Sequence, residues 1–327
     1  MTRIDQLIQQ IRNSHVYIQS HNFPDPDSIA SAYGLQKLLE SRGIESTICY
    51  MGEIDRYNTL KMIELLQIQL INIADLAEVL TDTDEIILVD AQKGNSNILK
   101  MKGQQIACID HHPTYEEVEY LYKDIRVEIG ACATMIAEYF FECGATMDQR
   151  TATALSFGIR CDTDRLLRGT SFTDMEMLYF MYQNCDREII QLLESRELYF
   201  NDLMSYSQAI DNIRVFKNIS FASTNEDCPE ALIANISDFM LALVEVEFSV
   251  VYSVRKDGVK LSVRSEGIKY DAGKITSQAL KGIGSGGGHS SMAGGFIPMD
   301  GTEGMTSRQI ILEKLESRFL EELRKVG

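Results

Sequence analysis

Apolar residues follow two rhythms along the first half of this chain. Residues 16–20, 46–50, 85–90 and 104–109 are short strand-like runs, and the last two are almost wholly apolar, as in a parallel sheet covered on both faces. Helix-period stretches lie between and after them. Ala30, Ala32, Leu35, Leu38 and Leu39 predict a helix over 28–41 with Gly43 as its stop, and further helical patterns cover 57–66, 131–141, 151–159 and 174–182. Strands alternating with helices predict an α/β domain built on an open, mostly parallel sheet flanked by helices.

The texture changes after a long polar-apolar pattern over 187–213. Strands are predicted over 215–224, 247–255 and 259–264, with Lys256-Asp257-Gly258 as a hairpin turn. A helix over 271–280, a glycine-rich stretch over 282–288, another strand and an amphipathic helix over 307–324 complete the pattern. The expectation is an α/β domain at 1–186, a helical connector at 187–214 and a second, smaller α/β domain at 215–327. With 327 residues, each domain can bury its own core without disulfides or a structural metal.

Metal-binding side chains crowd the places where apolar runs stop. His21-Asn-Phe-Pro-Asp25-Pro-Asp27 follows the first run, Asp90 the third, Asp110-His111-His112 the fourth, and Asp162-Thr-Asp164 a helical stretch. Three of the five histidines fall in these segments. In open α/β sheets, sites form beyond the carboxyl ends of strands, where these groups lie. Taken singly, Asp-Pro-Asp is a turn with a helix cap, Asp90 a loop cap and the His pair a solvated strand end. Together they supply the carboxylates and imidazoles of a two-metal site, in which paired divalent ions activate water and stabilise a phosphoryl transition state. The mixed donors favour Mn2+, with Mg2+ or Co2+ as alternatives.

Charge and composition narrow the partners. A formal net charge of −17 and the absence of a dense Lys/Arg stripe argue against long duplex nucleic acid, whereas bound cations would reverse the local field for a small anion. Seven cysteines without a CxxC pair suit reduced thiols. No stretch approaches the roughly 20 apolar residues of a membrane span, so the expectation is a soluble, cytoplasmic protein without a membrane partner.

These segments resemble the motifs of the DHH phosphoesterases that carry a DHH-associated C-terminal domain, the nano-RNase, oligoribonuclease-like and RecJ-related enzymes. His21-x-x-Pro-Asp25-x-Asp27-x-x-x-Ser31, Asp90, Asp110-His111-His112 and Asp162-Thr163 are similar to the four motifs of the first domain. Gly286-Gly287-Gly288-His289 with Ala293-Gly294 resembles the GGGH motif of the second, and Val263-Arg264-Ser265 the substrate-contacting strand before it. The resemblance implies two Mn2+, one on His21, Asp25 and Asp90 and the other on Asp27, Asp90, His111 and Asp162, with a bridging hydroxide as nucleophile. It further implies that Asp110 orients its neighbours, that His112 contacts the scissile phosphate, and that Arg264 and Gly286 to His289 hold the substrate.

The leading expectation is a metal-dependent phosphodiesterase that cuts short oligoribonucleotides or dinucleotides, including linear pGpG-type molecules, to 5′-mononucleotides, with a homodimer as the expected assembly. The alternatives are a 3′-phosphoadenosine 5′-phosphate phosphatase, a cyclic-dinucleotide phosphodiesterase, ranked lower for want of a preceding sensory segment, and a catalytically silent nucleotide-binding protein. The GGGH stretch counts against a pyrophosphatase. Asp164, Arg165 and Arg168, and Ser290-Ser291-Met292, depart from the usual residues at positions that face substrate.

Overall fold

The structure is a computed structural model; it describes all residues except 55, 77–79, 96, 115, 116, 196, 197, 300–304 and 327, and the backbone alone at 305–309. The chain divides into two compact units, Met1–Glu197 and Leu198–Gly327.

In the first unit the elements run α1 (Arg3–Ile8), β1 (His15–Gln19), α2 (Pro26–Glu40), β2 (Glu45–Tyr50), α3 (Tyr57–Leu66), β3 (Ile71–Asn72), α4 (Ile73–Leu76), β4 (Glu85–Val89), β5 (Gln104–Asp110), β6 (Tyr122–Ile125), α5 (Cys132–Cys143), α6 (Gln149–Asp162), α7 (Phe172–Met181) and α8 (Arg187–Ser195). The sheet order is β3-β2-β1-β4-β5-β6, and every pairing is parallel. Strand order reverses between β1 and β4. Alternate residues of β4 serve opposite faces: Ile87 and Val89 join the core beneath α2, α5 and α6, while Ile86 and Leu88 pack with Tyr17, Cys49 and Cys108 on the other side. That two-sided burial explains why β4 carries no polar alternation.

Helix α2 is the centre of the larger core. Asp25 caps it, Pro26 occupies its first turn, and nearly all its residues through Leu35 are buried. α6 crosses α2 at Gly158, where a Cβ would meet Ala30 Cβ at 3.1 Å and Asp27 Cα at 3.2 Å. Any side chain there would push its neighbours back, so glycine suits this close approach, which carries the C-terminal end of α6 to the start of α2.

The second unit contains α9 (Asp202–Asn212), β7 (Arg214–Phe216), β8 (Ile219–Ser223), α10 (Glu230–Leu241), β9 (Phe248–Val254), β10 (Gly258–Ser265), α11 (Ala272–Leu280), β11 (Ser285–Gly288), β12 (Met292–Pro298) and α12 (Met305–Val326). Its sheet runs β11-β12-β10-β9-β8-β7, antiparallel except for β8 against β9. The single strand expected over 215–224 is a hairpin, turned by Lys217 in the left-handed region at φ 57°. The glycine-rich stretch is not a free loop: Gly286 and Gly287 pair with Gly295 and Gly294 of β12 in an edge strand. Helix α8 buries Ile190 and Leu193 within the first unit, and α9 buries Ser205 and Ala209 within the second. Residues 196 and 197 of the expected connector lie outside the described residues.

Candidate metal centre

Four segments converge at the carboxyl ends of β1, β4 and β5, at the point where strand order reverses. His21 follows β1, Asp25 and Asp27 open α2, Asp90 follows β4, Asp110 ends β5 with His111 and His112 after it, and Asp162 ends α6.

Asp90 faces two imidazoles at once. Its Oδ2 lies 3.6 Å from His21 Nε2 and its Oδ1 3.4 Å from His111 Nε2. Asp25 Oδ1 stands 3.7 Å from the same His21 nitrogen, while Asp27 Oδ2 and Asp162 Oδ2 stand 3.9 and 3.2 Å from His111 Nε2. The donors thus fall into two sets, His21-Asp25-Asp90 and Asp27-His111-Asp162, with the donor atoms of each set within 4.8 Å of one another and Asp90 Oδ1 linking the first set to His111 of the second. Asp90 is held at φ 57°, an unusual conformation that Asp tolerates better than most side chains.

The imidazoles are oriented by acceptors that take only one tautomer. Nδ1–H of His21 donates to the Asn22 carbonyl at 2.8 Å and that of His111 to the Ile129 carbonyl at 3.1 Å, so Nε2 is in each case the nitrogen turned toward the carboxylates. Asp27 is anchored by the start of α5, which has no side-chain cap. The Cys132 and Ala133 amides donate to its two oxygens at 2.8 Å each.

The donor set fits divalent cations. Asp90 Oδ1 and His111 Nε2 are buried and make no hydrogen bond, although oppositely polarised groups surround them. Buried polar atoms in that condition are costly, and a cation that accepts both lone pairs removes the cost. Proton affinities carry the same strain. Burial, with the Asp90 and Asp162 charges, pushes the Asp27 carboxyl well above its ordinary range, and burial likewise raises Asp90. Burial would lower the His21 imidazole, but Asp25 and Asp90 outweigh it and push it up to about 10; His111 is driven up in the same sense by Asp162 and Asp90. Protons and metal ions compete for one set of lone pairs here.

His112 belongs to neither set, although its Nδ1 lies 3.5 Å from Asp90 Oδ1 and it groups with Asp90, Asp110 and His111. Its Nδ1 donates to Asp110 Oδ1 at 2.9 Å, leaving Nε2 facing away from that carboxylate. The same oxygen accepts the His111 and His112 amides, while Oδ2 accepts from Gln92 Nε2 at 2.7 Å. Gln92 also donates to the His112 carbonyl at 2.8 Å. Sequence reasoning missed this buried glutamine, which belongs to no periodic pattern. The α5 amides left a fainter signal, a run of small residues opening a helix without a capping side chain.

The substrate-binding candidates belong to the second unit. Arg264, only 8% exposed on β10, donates from Nε to Asp238 Oδ1 at 2.8 Å and from Nη1 to Ser262 Oγ and the Val263 carbonyl. Gly286, Gly287 and Gly288 form β11, and His289 beyond it is exposed. The His289 carbonyl accepts the Gly273 amide at the start of α11 at 2.8 Å, and its own amide donates to the Met292 carbonyl at 2.7 Å, so backbone hydrogen bonds tie down the end of the glycine strand.

Comparison with known proteins follows these two units. A model of the DHH family N-terminal domain matches residues 15–159, and one of the DHHA1 domain matches 217–321. The chain belongs to the DHH family. Among curated relatives, an uncharacterised protein of Methanocaldococcus jannaschii is 29% identical over 321 residues, covering 96% of this chain and 65% of that protein. A cyclic-di-AMP phosphodiesterase of Bacillus subtilis is 28% identical over 86% of this chain and 44% of its own length, so this chain spans less than half of that enzyme. A bifunctional oligoribonuclease and PAP phosphatase of Mycoplasma genitalium is 24% identical over 86% of this chain and 88% of its own. In fold, an exopolyphosphatase-related protein of Bacteroides fragilis superposes with a TM-score of 0.76 at 18% identity, over 98% of this chain and 97% of that one.

Proposed function

We propose that this chain is a divalent-metal-dependent phosphodiesterase that hydrolyses short oligoribonucleotides or linear dinucleotides to 5′-mononucleotides. The observation that carries the reading is Asp90, whose two oxygens address His21 and His111 separately, as a carboxylate shared by two cations must. His21, Asp25 and Asp90 would hold one ion, and Asp27, Asp90, His111 and Asp162 the other, with Mn2+ the first choice. Bound there, the ions supply charge neutralisation at phosphorus and lower the pKa of water.

The chain's own residues contribute orientation and a proton. Asp110 holds His112 through Nδ1, so that Nε2 can present a proton to a phosphate oxygen. Burial lowers the proton affinity of His112, but the hydrogen bond to Asp110 together with the Asp90 and Asp110 charges outweighs it and raises the imidazole above its ordinary value. Arg264 and the Gly286 to His289 segment are the proposed substrate contacts of the second unit. The domain extents 1–186, 187–214 and 215–327 remain the proposed functional division. The oligoribonuclease relative supports the short-substrate reading because it matches over most of both chains. Cyclic dinucleotides are the second reading, favoured by the similarity to the cyclic-di-AMP phosphodiesterase.

The test is a panel of dinucleotides, RNAs of increasing length, 3′-phosphoadenosine 5′-phosphate and cyclic dinucleotides, each assayed with Mn2+ for released nucleotide. Linear dinucleotides should turn over fastest, and Asp90→Ala should abolish release. Equal rates at every length would sink the short-substrate reading, and a fully active Asp90→Ala would sink the shared-ligand mechanism.

A further inference from the structure

Between the two candidate ligands His21 and Asp25 sits a phenylalanine in a conformation that phenylalanine avoids. Phe23 has φ 55°, in the left-handed region, and its side chain is 64% exposed. Bulky residues seldom adopt that conformation, and Pro24 immediately after narrows the choices at residue 23 still further. The surrounding hydrogen bonds enforce it. The Phe23 amide donates to the Met51 carbonyl at 2.8 Å, the Asn22 amide to Asn97 at 2.7 Å, and the Leu99 amide returns to Asn22 Oδ1 at 3.0 Å. On one side the ring rests against Gly52, where any Cβ would come within 2.7 Å of its Cδ1 and Cε1. Gly52, itself at φ +90°, leaves room for the ring without enclosing it.

This arrangement is poor design for stability. An exposed aromatic side chain buries little apolar surface, and Asn or Gly would occupy the left-handed position with less strain. Strain retained beside a reactive centre, with an aromatic ring left open to solvent, is what a stacking platform requires. Phe23 is two residues from each flanking ligand, so its Cα lies within about 7 Å of theirs along the chain.

We propose that Phe23 is a specificity-determining residue that stacks on a nucleobase of the nucleotide carrying, or adjoining, the reacting phosphorus. This deepens the phosphodiesterase reading and rests on it: the ring would distinguish a nucleoside phosphodiester from a base-free phosphoester or polyphosphate at the same metal centre. Stacking tolerates any base, since each has a π-face, so the ring gives selectivity for nucleotides without sequence preference.

The experiment compares the Mn2+-loaded full chain with Phe23→Asn and Phe23→Tyr on a linear dinucleotide and on the same dinucleotide made abasic at either position. The unaltered chain should lose about 5- to 150-fold in kcat/KM when one particular base is removed, the range that one stacked base confers. Phe23→Asn should show a similar loss on the intact dinucleotide, should not respond to removal of that base, and should melt no lower than the unaltered chain. Phe23→Tyr should retain the discrimination. Equilibrium binding of both dinucleotides is measured in parallel. Absence of hydrolysis in every chain would overturn the phosphodiesterase reading alone, whereas a Phe23→Asn that still prefers the intact dinucleotide, in rate or in binding, would overturn the stacking proposal. A lowered melting temperature with discrimination intact would mark Phe23 as a packing residue and overturn it equally.

Discussion

Gln92 and His21 show how much of the centre depends on single atoms. Gln92 is buried and spends both hydrogen bonds of its amide nitrogen on the Asp110-His112 pair, so Gln92→Leu would leave the Asp110 carboxylate short of a donor while filling similar space. We expect kcat/KM to fall about 10- to 100-fold, the usual cost of losing an outer partner of a metal site, with the number of Mn2+ ions bound per chain unchanged. Loss of an ion in a metal-content assay would contradict the assignment. His21 supplies a different test. Its imidazole, pushed up to about 10, carries a proton at pH 7 in the metal-free chain, yet a ligand nitrogen must be unprotonated. Metal uptake at pH 7 must therefore expel at least that proton, and apparent affinity should strengthen as pH rises toward 10. Calorimetric titration of Mn2+ in buffers of different ionisation enthalpy measures the released protons directly; heats independent of the buffer would refute the linkage.

At the scale of elements, legibility followed burial. The strands β1, β4 and β5 and the helix α2 were readable because core packing dictates nearly every residue in them, and the ligand-bearing segments were readable because polar groups interrupt that packing at strand ends. β6 gave no signal: Tyr122–Ile125 is a short edge strand with Lys123 and Asp124 in its middle, held by backbone pairing to β5. α10 was missed although Leu232, Ile233, Ile236 and Met240 recur at helical spacing, because the buried Ser237 breaks the apolar stripe. The α2–α6 crossing was invisible because a glycine inside a helix announces no contact. It is testable through Gly158→Val, whose added carbons have no space against Ala30, Ala133 and Asp27. Overpacking of this kind costs about 1–3 kcal/mol, readable in denaturant melts. Forcing α6 away from α2 would also separate Asp162 from Asp27, so the variant should bind fewer Mn2+ ions than the unaltered chain. A variant of reduced stability but full metal content would show that α6 placement does not govern the second donor set.

For the molecule as a whole, the net charge of −17 sets a term that no local contact cancels at a distance. A polyanionic substrate meets repulsion that grows with its own charge, while attraction is confined to the metal centre and short range. A dinucleotide pays little for that approach and a ten-residue RNA pays more. Added salt screens the repulsion, since the Debye length shrinks from about 30 Å at 0.01 M to about 8 Å at 0.15 M. The kcat/KM for the ten-residue RNA should therefore rise relative to that for the dinucleotide across this range, with Mn2+ held constant. A protein that tracks a strand through Lys and Arg behaves in the opposite way, because counterion release weakens its binding as salt increases. A falling ratio would accordingly place a basic path for long RNA on this acidic chain and reject charge as a basis for the proposed preference for short substrates.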